Sequence, residues 1–180
     1  MDTSQRTYRF SAADVYTAGY RIVGKIMVSA NGIMGVLNDP TKSHLEIHDA
    51  RLARIHMPTK LVDHFEIVRL VKMQVVIVCA TRREDLGPTN IVRGGYSNIV
   101  ETPTRLATDV FELEGKLQVA GRFDFVSLIT DKSRNFIPLF DATLTAILLP
   151  NLKVESPGIL FNREKIDMLA FLNQRAKEDK

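Results

Sequence analysis

The chain has 180 residues, of which 45% are hydrophobic and 25% charged, a composition typical of a folded globular protein and not of a disordered one. Its net charge of +3 permits contact with nucleic acid or an anionic surface but does not require it. The apolar runs are far shorter than the roughly 20 residues of a membrane-spanning helix, and residues 1–10 lack a signal-peptide core. The single cysteine excludes an internal disulfide. We therefore expect a cytoplasmic protein without membrane insertion.

The elements predicted in the first half of the chain are mainly strands. Period-two alternation or β-branched runs predict them in RIVGKIMV (21–28), LEIHDARLARIHMP (45–58) and FEIVRLVKMQVVIV (65–78). Between the first two strands, Asn31-Gly32 is a strong hairpin signal, yet Gly32 to Leu37 also suits a short helix. Strand and helix both remain open for these residues.

Residues 81–108 are rich in Gly, Pro, Thr and Asn and lack periodicity, which indicates a linker or a functional loop. Beyond this stretch, strands are predicted in FELEGKLQV (111–119) and IPLFDATLTAILLP (137–150). The residues between them, Asp124 to Ile129, again suit either a strand or a short helix.

Two segments about ninety residues apart carry the same landmarks. Tyr20–Pro58 aligns with Phe111–Pro150 with a single-residue slip. The matches are Gly24-Lys25 with Gly115-Lys116, Asp39 with Asp131, Asp49-Ala50 with Asp141-Ala142, Leu52 with Leu144, and Pro58 with Pro150. Chance rarely keeps such a register, so we predict a tandem duplication. The first copy, with an N-terminal extension, occupies residues 1–80, the linker or loop 81–108, and the second copy, with a charged tail, 109–180.

The C-terminal residues permit two predictions. Asn162 is a plausible helix cap, and the apolar residues that follow share a helical face. The duplication instead predicts a strand at Ile166–Phe171 followed by a charged tail. The two alternatives stay open.

The segment GKLQVAGRFDFVSLITDKSRNFIPLFDATL (115–144) combines a Gly strand, an Arg-apolar-Asp turn and a strand with Phe-x-x-Leu-x-Asp-Ala. It resembles a family of small bacterial domains of unknown function with a Gly strand, an Arg-Leu-Ser-Asp-x-Leu-Asn turn, that same second strand and a closing Lys-x-x-Ile strand. The matching residues of the second copy are Arg122, Asp124, Phe136, Leu139, Asp141 and Ala142. The first copy lacks the Arg and the Phe and keeps Leu37-Asn38, Asp49-Ala50, Lys72 and Val75. The resemblance implies a β-rich module with a helical turn, found in tandem, and no catalytic residue.

These features predict a mainly β fold of two homologous subdomains packed through apolar faces. Each subdomain is expected to be a small bent sheet or a partly open barrel with one short helical turn. A C-terminal helix is added to this fold only if the residues after Asn162 are helical and do not form the strand that the duplication predicts.

All four histidines lie in the first copy, and three of them, His44, His48 and His56, align with apolar residues of the second. Because strand side chains alternate, we expect His48, Arg54 and His56 to share one basic face. The candidate binding residues are His44, His48, Arg51, Arg54, His56, Arg82 and Arg83. In the alternative interpretation, this face is merely solvated in the first copy and buried in the second, against the linker or a partner chain.

The sequence predicts no catalytic, metal-binding or cofactor-binding residues. Nucleotide-binding loops, paired-cysteine motifs and a His-Glu-x-x-His helix are all missing, and VRGGYSN (92–98) is better interpreted as a Gly-Gly turn than as a phosphate loop. A metal site would need three or four converging ligands, and the sequence does not clearly place a carboxylate to complete one with the histidines. Asp49 and Asp141 are interpreted as structural residues that bond backbone amides at a strand entry or bulge.

The leading functional hypothesis is a non-enzymatic binding or assembly module, oligomeric, whose first copy presents the His/Arg face to itself or to a partner protein. The alternative is a nucleic-acid-binding regulator that uses the same face, although few aromatic residues interleave the basic ones. An enzyme or metal protein built on the histidines has the least support, and no small-molecule substrate is inferred.

Overall fold

A computed structural model describes residues 7–88, 99–120, 125–130 and 134–172. The strands in these ranges are β1 (Arg9–Tyr16), β2 (Tyr20–Val28), β3 (His44–Arg54), β4 (Leu61–Val71), β5 (Ile77–Ala80), β6 (Ile99–Ala107), β7 (Phe111–Ala120), β8 (Phe136–Ala146), β9 (Leu149–Asn162) and β10 (Met168–Phe171). The helices are α1 (Gly32–Leu37) and α2 (Phe125–Thr130), and 3₁₀ turns occupy Lys72–Gln74, Arg83–Leu86 and Arg163–Lys165.

The described strands form one open sheet with the order β10-β6-β7-β8-β9-β5-β1-β2-β3-β4. Every neighbouring pair is antiparallel. The predicted class, mainly β, is therefore confirmed. Within the described part of the chain the sheet does not close, and β10 and β4 are its outermost strands.

The two halves of the sheet have the same strand arrangement. The first half runs β5-β1-β2-β3-β4 and the second runs β10-β6-β7-β8-β9. Partner pairs recur at an offset of 91 positions, as when Tyr16 opposite Arg21 is followed by Ala107 opposite Glu112, except that β8 follows β3 at an offset of 92. This likeness is a fact of geometry, whereas its origin in a duplication stays a prediction.

The halves are joined edge to edge, by strand pairing between β5 and β9, and not simply by the packing of apolar faces that we expected. Four residue pairs form this junction, from Ile77 opposite Phe161 to Ala80 opposite Gly158. All four residues of β5 are buried. A Ser156 hydroxyl also donates to the Ala80 carbonyl at 2.9 Å, so a polar side chain reinforces the junction.

Two hydrophobic clusters lie on opposite faces of the junction. Val78 and Leu160 belong to the cluster of the first half, whereas Ile77 and Phe161 belong to that of the second. Because neighbouring strand residues point to opposite faces, β5 and β9 are covered on both sides. This burial explains why Ile77–Ala80 of β5 and Ile159–Phe161 of β9 are continuous apolar runs instead of alternating ones.

The structure decides between the alternatives that the sequence left open. Gly32–Leu37 is the helix α1, and Phe125–Thr130 is the helix α2, while Asp124 lies outside the described residues. At the C-terminus, Met168–Phe171 is the strand β10 and pairs with β6, as the internal likeness suggests. Residues 173–180, in which the charged tail was predicted, lie outside the described part.

The stretch 81–108 is not the continuous linker that its composition suggested. Residues 99–107 form β6, which pairs with β7 over nine residue pairs. Long antiparallel pairing overrides the weak strand propensity of this segment. Pro103 is tolerated because β10 pairs with β6 only from Thr104 onward. The predicted domain boundaries stay a prediction, and VRGGYSN (92–98) lies outside the described residues.

Candidate binding surfaces

The repeated Gly-Lys and Asp-Ala pairs form one structural device, a bulge between neighbouring strands. In β3, the pair Asp49-Ala50 stands opposite the single residue Gly24, because Val23 pairs with Arg51 and Lys25 with His48. The same shift occurs in β8, where the ladder slips between Glu114 and Lys116. Asp49 and Asp141 adopt the left-handed backbone conformation, with φ of 50° and 46°.

Each bulge aspartate bonds a lysine from the adjacent strand. Lys116 Nζ lies 2.8 Å from Asp141 Oδ2, and Lys25 Nζ lies 3.4 Å from Asp49 Oδ2. In the first half, His64 Nε2 adds a contact of 2.7 Å to Asp49 Oδ1. Hydrogen bonds from His64 and then Lys25 lower the pKa of Asp49, and the bond from Lys116 lowers that of Asp141. The carboxylates thus bond side chains and not the backbone amides that we expected.

The bulge at Asp49 changes which residues of β3 share a face. Strict alternation predicted that His48 and Ala50 share one face of the strand with Leu52 and Arg54. The extra residue of the bulge instead moves His48 to the opposite face from Ala50. Ala50 is buried in the core, whereas His48 is partly exposed. We use the name charged face for the surface formed by Lys25, His44, Glu46, His48, Arg51 and Arg69.

Three of the seven predicted binding residues lie on the charged face, and four do not. His44, His48 and Arg51 are there. Arg54, three residues beyond Arg51, points to the opposite face, so its predicted grouping with His48 is wrong. The remaining members are the turn residue His56 and, after β5, Arg82 and Arg83.

The two arginines that follow β5 have different partners, and only those of Arg83 lie in the second half. Arg83 lies over the Phe140 ring, 4.2 Å from its centroid, and also approaches Glu101 at 3.5 Å. Arg82 contacts the buried Asp85 carboxylate at 3.2 Å. Arg82 and Arg83 therefore hold residues 82–86 in place, a stretch that we call the covering segment. The structure does not bring either arginine to the charged face.

Asp85 anchors this covering segment to β1. Its buried carboxylate accepts hydrogen bonds from Arg9, Arg82 and the Ser11 hydroxyl, the last at 3.1 Å. Burial favours the neutral acid, but the hydrogen bonds, from Arg9 first, outweigh burial and lower the pKa of Asp85. The neighbouring Leu86 is fully buried in the first hydrophobic cluster.

The surface of the second half that corresponds to the charged face is mostly covered. Phe136 and Phe140, aligned with His44 and His48, are buried in the first hydrophobic cluster together with Leu86. Leu148, aligned with His56, is instead 89% exposed. The interpretation that this surface is solvated in the first copy and buried in the second therefore fits the positions of His44 and His48 but not that of His56.

Much of the charge on the charged face is paired internally. Arg69 Nε donates to Glu46 Oε1 at 2.8 Å, which is the main cause of the lowered pKa of Glu46. His44 Nε2 lies 3.8 Å from that same oxygen atom of Glu46. These contacts reduce the positive field that would attract phosphates.

An exposed aromatic contact borders the charged face. The rings of Phe10 and His48 meet edge to face, with centroids 5.1 Å apart. Sequence reasoning missed Phe10 because it lies far from the histidines in the chain, and only the register of β1 with β2 brings it across. Nearby, an open cleft of about 990 Å³ is lined in part by Tyr8, Met27 and Lys42.

The two outer strands are the other candidate binding surface. β4 is exposed along most of its length, and its apolar side chains Phe65, Ile67 and Val71 are 42%, 38% and 54% exposed. On β10, Met168 is 46% exposed. Among the described residues, each of these strands has a strand partner on one side only.

Comparisons of the chain with protein-family models, with curated proteins and with solved structures found no match. Within the described ranges, no helix is long and apolar enough to cross a membrane. Searched over the same residues, the structure contains no group of three or more His, Cys, Asp or Glu side chains suited to a metal ion.

Proposed function

We propose that the protein is a non-enzymatic assembly module that joins polypeptide chains by strand addition at the open edges of its sheet. The observation that supports this function is the ten-stranded sheet, in which, over the described residues, the outer strands β4 and β10 each have one neighbouring strand. Free strand edges bind further strands through backbone hydrogen bonds.

The length and side chains of β4 also favour assembly. Natural proteins protect free edges with lysines, prolines or very short strands. β4 has 11 residues, and its central part carries Phe65, Ile67 and Val71 with substantial exposure. An edge of this length and character is suited to pairing.

Size-exclusion chromatography with light scattering, over a range of protein concentrations, tests the proposed function. We expect a mass above that of one chain that rises with concentration. Ile67→Lys or Met168→Lys, at an outer strand, should weaken association by about tenfold, which corresponds to roughly 1.4 kcal/mol. Leu148→Lys, in the turn between β8 and β9, replaces an equally apolar exposed side chain away from the edges and is the matched control.

A protein that remains monomeric at every concentration would overturn the assembly function. Association that survives both lysine substitutions would show that chains join elsewhere. Circular dichroism of each variant verifies that the sheet is retained, so a loss of association is not mistaken for unfolding.

A second candidate, nucleic-acid binding, is favoured by one observation. The exposed Phe10 ring beside His48 supplies an aromatic surface next to basic side chains, which is the combination that stacks unpaired bases. Against it, Arg69 and Lys25 are already paired with Glu46 and Asp49. We therefore rank this function below assembly.

Titration of mixed-sequence single-stranded oligonucleotides across a salt series tests the second candidate. Binding through phosphates weakens steeply as salt rises. Phe10→Ala should reduce affinity by removing a stacking partner, while Tyr20→Ala, an exposed aromatic at the start of the same sheet half, should not. If both variants bind the oligonucleotides with the affinity of the native chain, the charged face is excluded as the nucleic-acid-binding surface.

A further inference from the structure

The junction inside the chain is a guide to how the two outermost described strands, β4 and β10, could pair. At that junction, β9 is the last strand of the order β6-β7-β8-β9, and β5 is the strand that flanks β1. In the corresponding places of the other half stand β4 and β10, the two outermost strands. Among the described strands, one pair of such edges is thus joined and a second pair of the same kind is outermost in the sheet.

Residue pairings make this correspondence specific. Val68 of β4 stands opposite Ile47, as Ile159 of β9 stands opposite Leu139. On the other edge, Ala170 of β10 stands opposite Arg105, as Cys79 of β5 stands opposite Asp14. A 3₁₀ turn, Lys72–Gln74 or Arg163–Lys165, separates the corresponding strands in each half. Val68 and Ala170 are therefore the counterparts of Ile159 and Cys79, which face each other at the junction.

We infer that β10 of one copy of this chain pairs, antiparallel, with β4 of a second copy in the register of the β5–β9 junction. This inference rests on the proposed assembly function and names its partner. Transfer of the register places Met168 opposite Leu70, Leu169 opposite Arg69 and Ala170 opposite Val68.

Except for Arg69, which would stand opposite Leu169, the side chains at these positions are apolar and suit the pairing. Val68 and Leu70 are partly buried and pack on the first hydrophobic cluster, and Leu169 packs on the second. Pairing would extend both clusters across the contact and remove Met168 and Ile67 from water. Because apolar surface on both edges is covered in the same step, a second copy fits better than an arbitrary extended peptide.

Such a contact is heterologous, since the two edges come from different halves. A single contact of this kind between two copies uses one β4 and one β10, so the remaining β4 and β10 can accept further copies. Repetition gives a closed ring when the rotation between copies closes, and otherwise an open filament.

The contact between copies should be weaker than the junction inside the chain. Asn162, whose amide donates to the Val75 carbonyl at 2.9 Å, corresponds to Val71, and Ser156 corresponds to Phe65. The polar bonds that reinforce the internal junction are thus missing from the β4 edge. Association should accordingly depend on concentration.

Disulfide trapping tests the register. Ala170→Cys and Val68→Cys are made in separate chains, which are then mixed and oxidised. Opposed residues of antiparallel strands have Cα atoms about 4.5–5.5 Å apart, within the range for a disulfide. The native Cys79 is a suitable background because it is buried and its pKa is raised by burial.

We expect covalent pairs between Ala170→Cys and Val68→Cys chains, and a series of higher covalent multimers when both changes are in one chain. The matched control is Val62→Cys, on the same strand β4 and also exposed, but about 20 Å along it. It should trap with Ala170→Cys at least about tenfold less, since that distance cannot be bridged.

Each other outcome overturns the inference. Disulfides only between two Val68→Cys chains would show a symmetric β4–β4 contact, which leaves the assembly function intact. Trapping with Val62→Cys alone would show edge pairing in another register, with the same consequence. If light scattering finds only monomers, the proposed function fails before any trapping is attempted, so the two failures are distinguishable.

Discussion

At the scale of single residues, the two bulge aspartates combine an unusual backbone with a local ion pair. Asp49 and Asp141 have positive φ, which costs ordinary L-residues roughly 1–2 kcal/mol. Asp and Asn tolerate this conformation better than most residues, and a β-branched side chain tolerates it least. The Asp of the repeated Asp-Ala pair is thus explained by its backbone position.

Asp141→Val should therefore lower the free energy of unfolding by about 1–3 kcal/mol, while Asp141→Gly should cost less despite losing the same Lys116 contact. Urea denaturation measures both. Thr143→Val, a β-branched change at an ordinary strand position of β8, is the control. Equal losses of unfolding free energy for Asp141→Val and Asp141→Gly would show that the ion pair, and not the backbone conformation, is the reason for aspartate at this position.

Asp85 predicts an acid-dependent stability. Because its pKa in the folded protein is lowered, its contribution is complete above the usual pKa of an aspartate, about 3.9, and is lost as pH falls through the lower folded value. Asp85→Asn should cost about 1–3 kcal/mol at neutral pH, because the buried Ser11 hydroxyl and the arginines lose a charged acceptor. The difference between variant and native protein should shrink in acid, as measured by unfolding at a series of pH values.

Asp14→Asn is a useful comparison for Asp85→Asn, since Asp14 also pairs with an arginine but is partly exposed. Its cost at neutral pH should be smaller because solvent screens the pair. A cost for Asp85→Asn that does not change with pH would contradict the role given to its carboxylate.

At the scale of elements, the glycine opposite each bulge is as necessary as the aspartate. A Cβ atom on Gly24 would lie 2.5 Å from Ile47 Cγ2 and 2.8 Å from the His48 carbonyl oxygen. On Gly115 it would lie 2.8 Å from Leu139 Cγ. The close approach of β2 to β3, and of β7 to β8, excludes any side chain there.

Gly24→Ala and Gly115→Ala should each destabilise the protein by about 1–3 kcal/mol, the usual cost of overpacking. Gly19→Ala is the control, because nothing lies within 4 Å of a Cβ at that turn position. It should be neutral or slightly stabilising. Thermal or urea unfolding of the three variants checks this, and equal effects at Gly19 and Gly24 would refute the steric explanation.

Sequence reasoning identified these elements better than it oriented them. The sequence predicted Asp49 and Asp141 at a strand entry or a bulge, and both lie in bulges. The extra residue at Asp49, however, reversed the expected face of His48 relative to Arg54. Alternation alone cannot reveal a bulge, because the hydrophobic pattern on each side of it is still regular. β6 was missed for a related reason, since pairing with β7 and not its own composition makes it a strand.

At the scale of the whole molecule, the sequence indicated two similar halves but not how they meet. The β5–β9 junction pairs two apolar segments about eighty residues apart, and nothing in apolar runs such as Ile77–Ala80 specifies a register. The charged face was likewise recognisable only in part. His44 and His48 were found from their contrast with Phe136 and Phe140, whereas Phe10 became part of that surface only through the sheet.

The shared junction predicts that the two halves unfold together. Asn162→Ala removes the buried amide that donates to the Val75 carbonyl, and leaving that acceptor unsatisfied should cost about 1–3 kcal/mol. Because β5 and β9 contribute to both hydrophobic clusters, the loss should lower one cooperative transition and not separate the halves. Urea unfolding followed by tyrosine fluorescence and by circular dichroism should give coincident curves for the variant.

Asn151→Ala, at an exposed position of β9, is the control and should leave the midpoint of unfolding unchanged. Two separate transitions, with only one shifted by Asn162→Ala, would show that the halves are independent folding units.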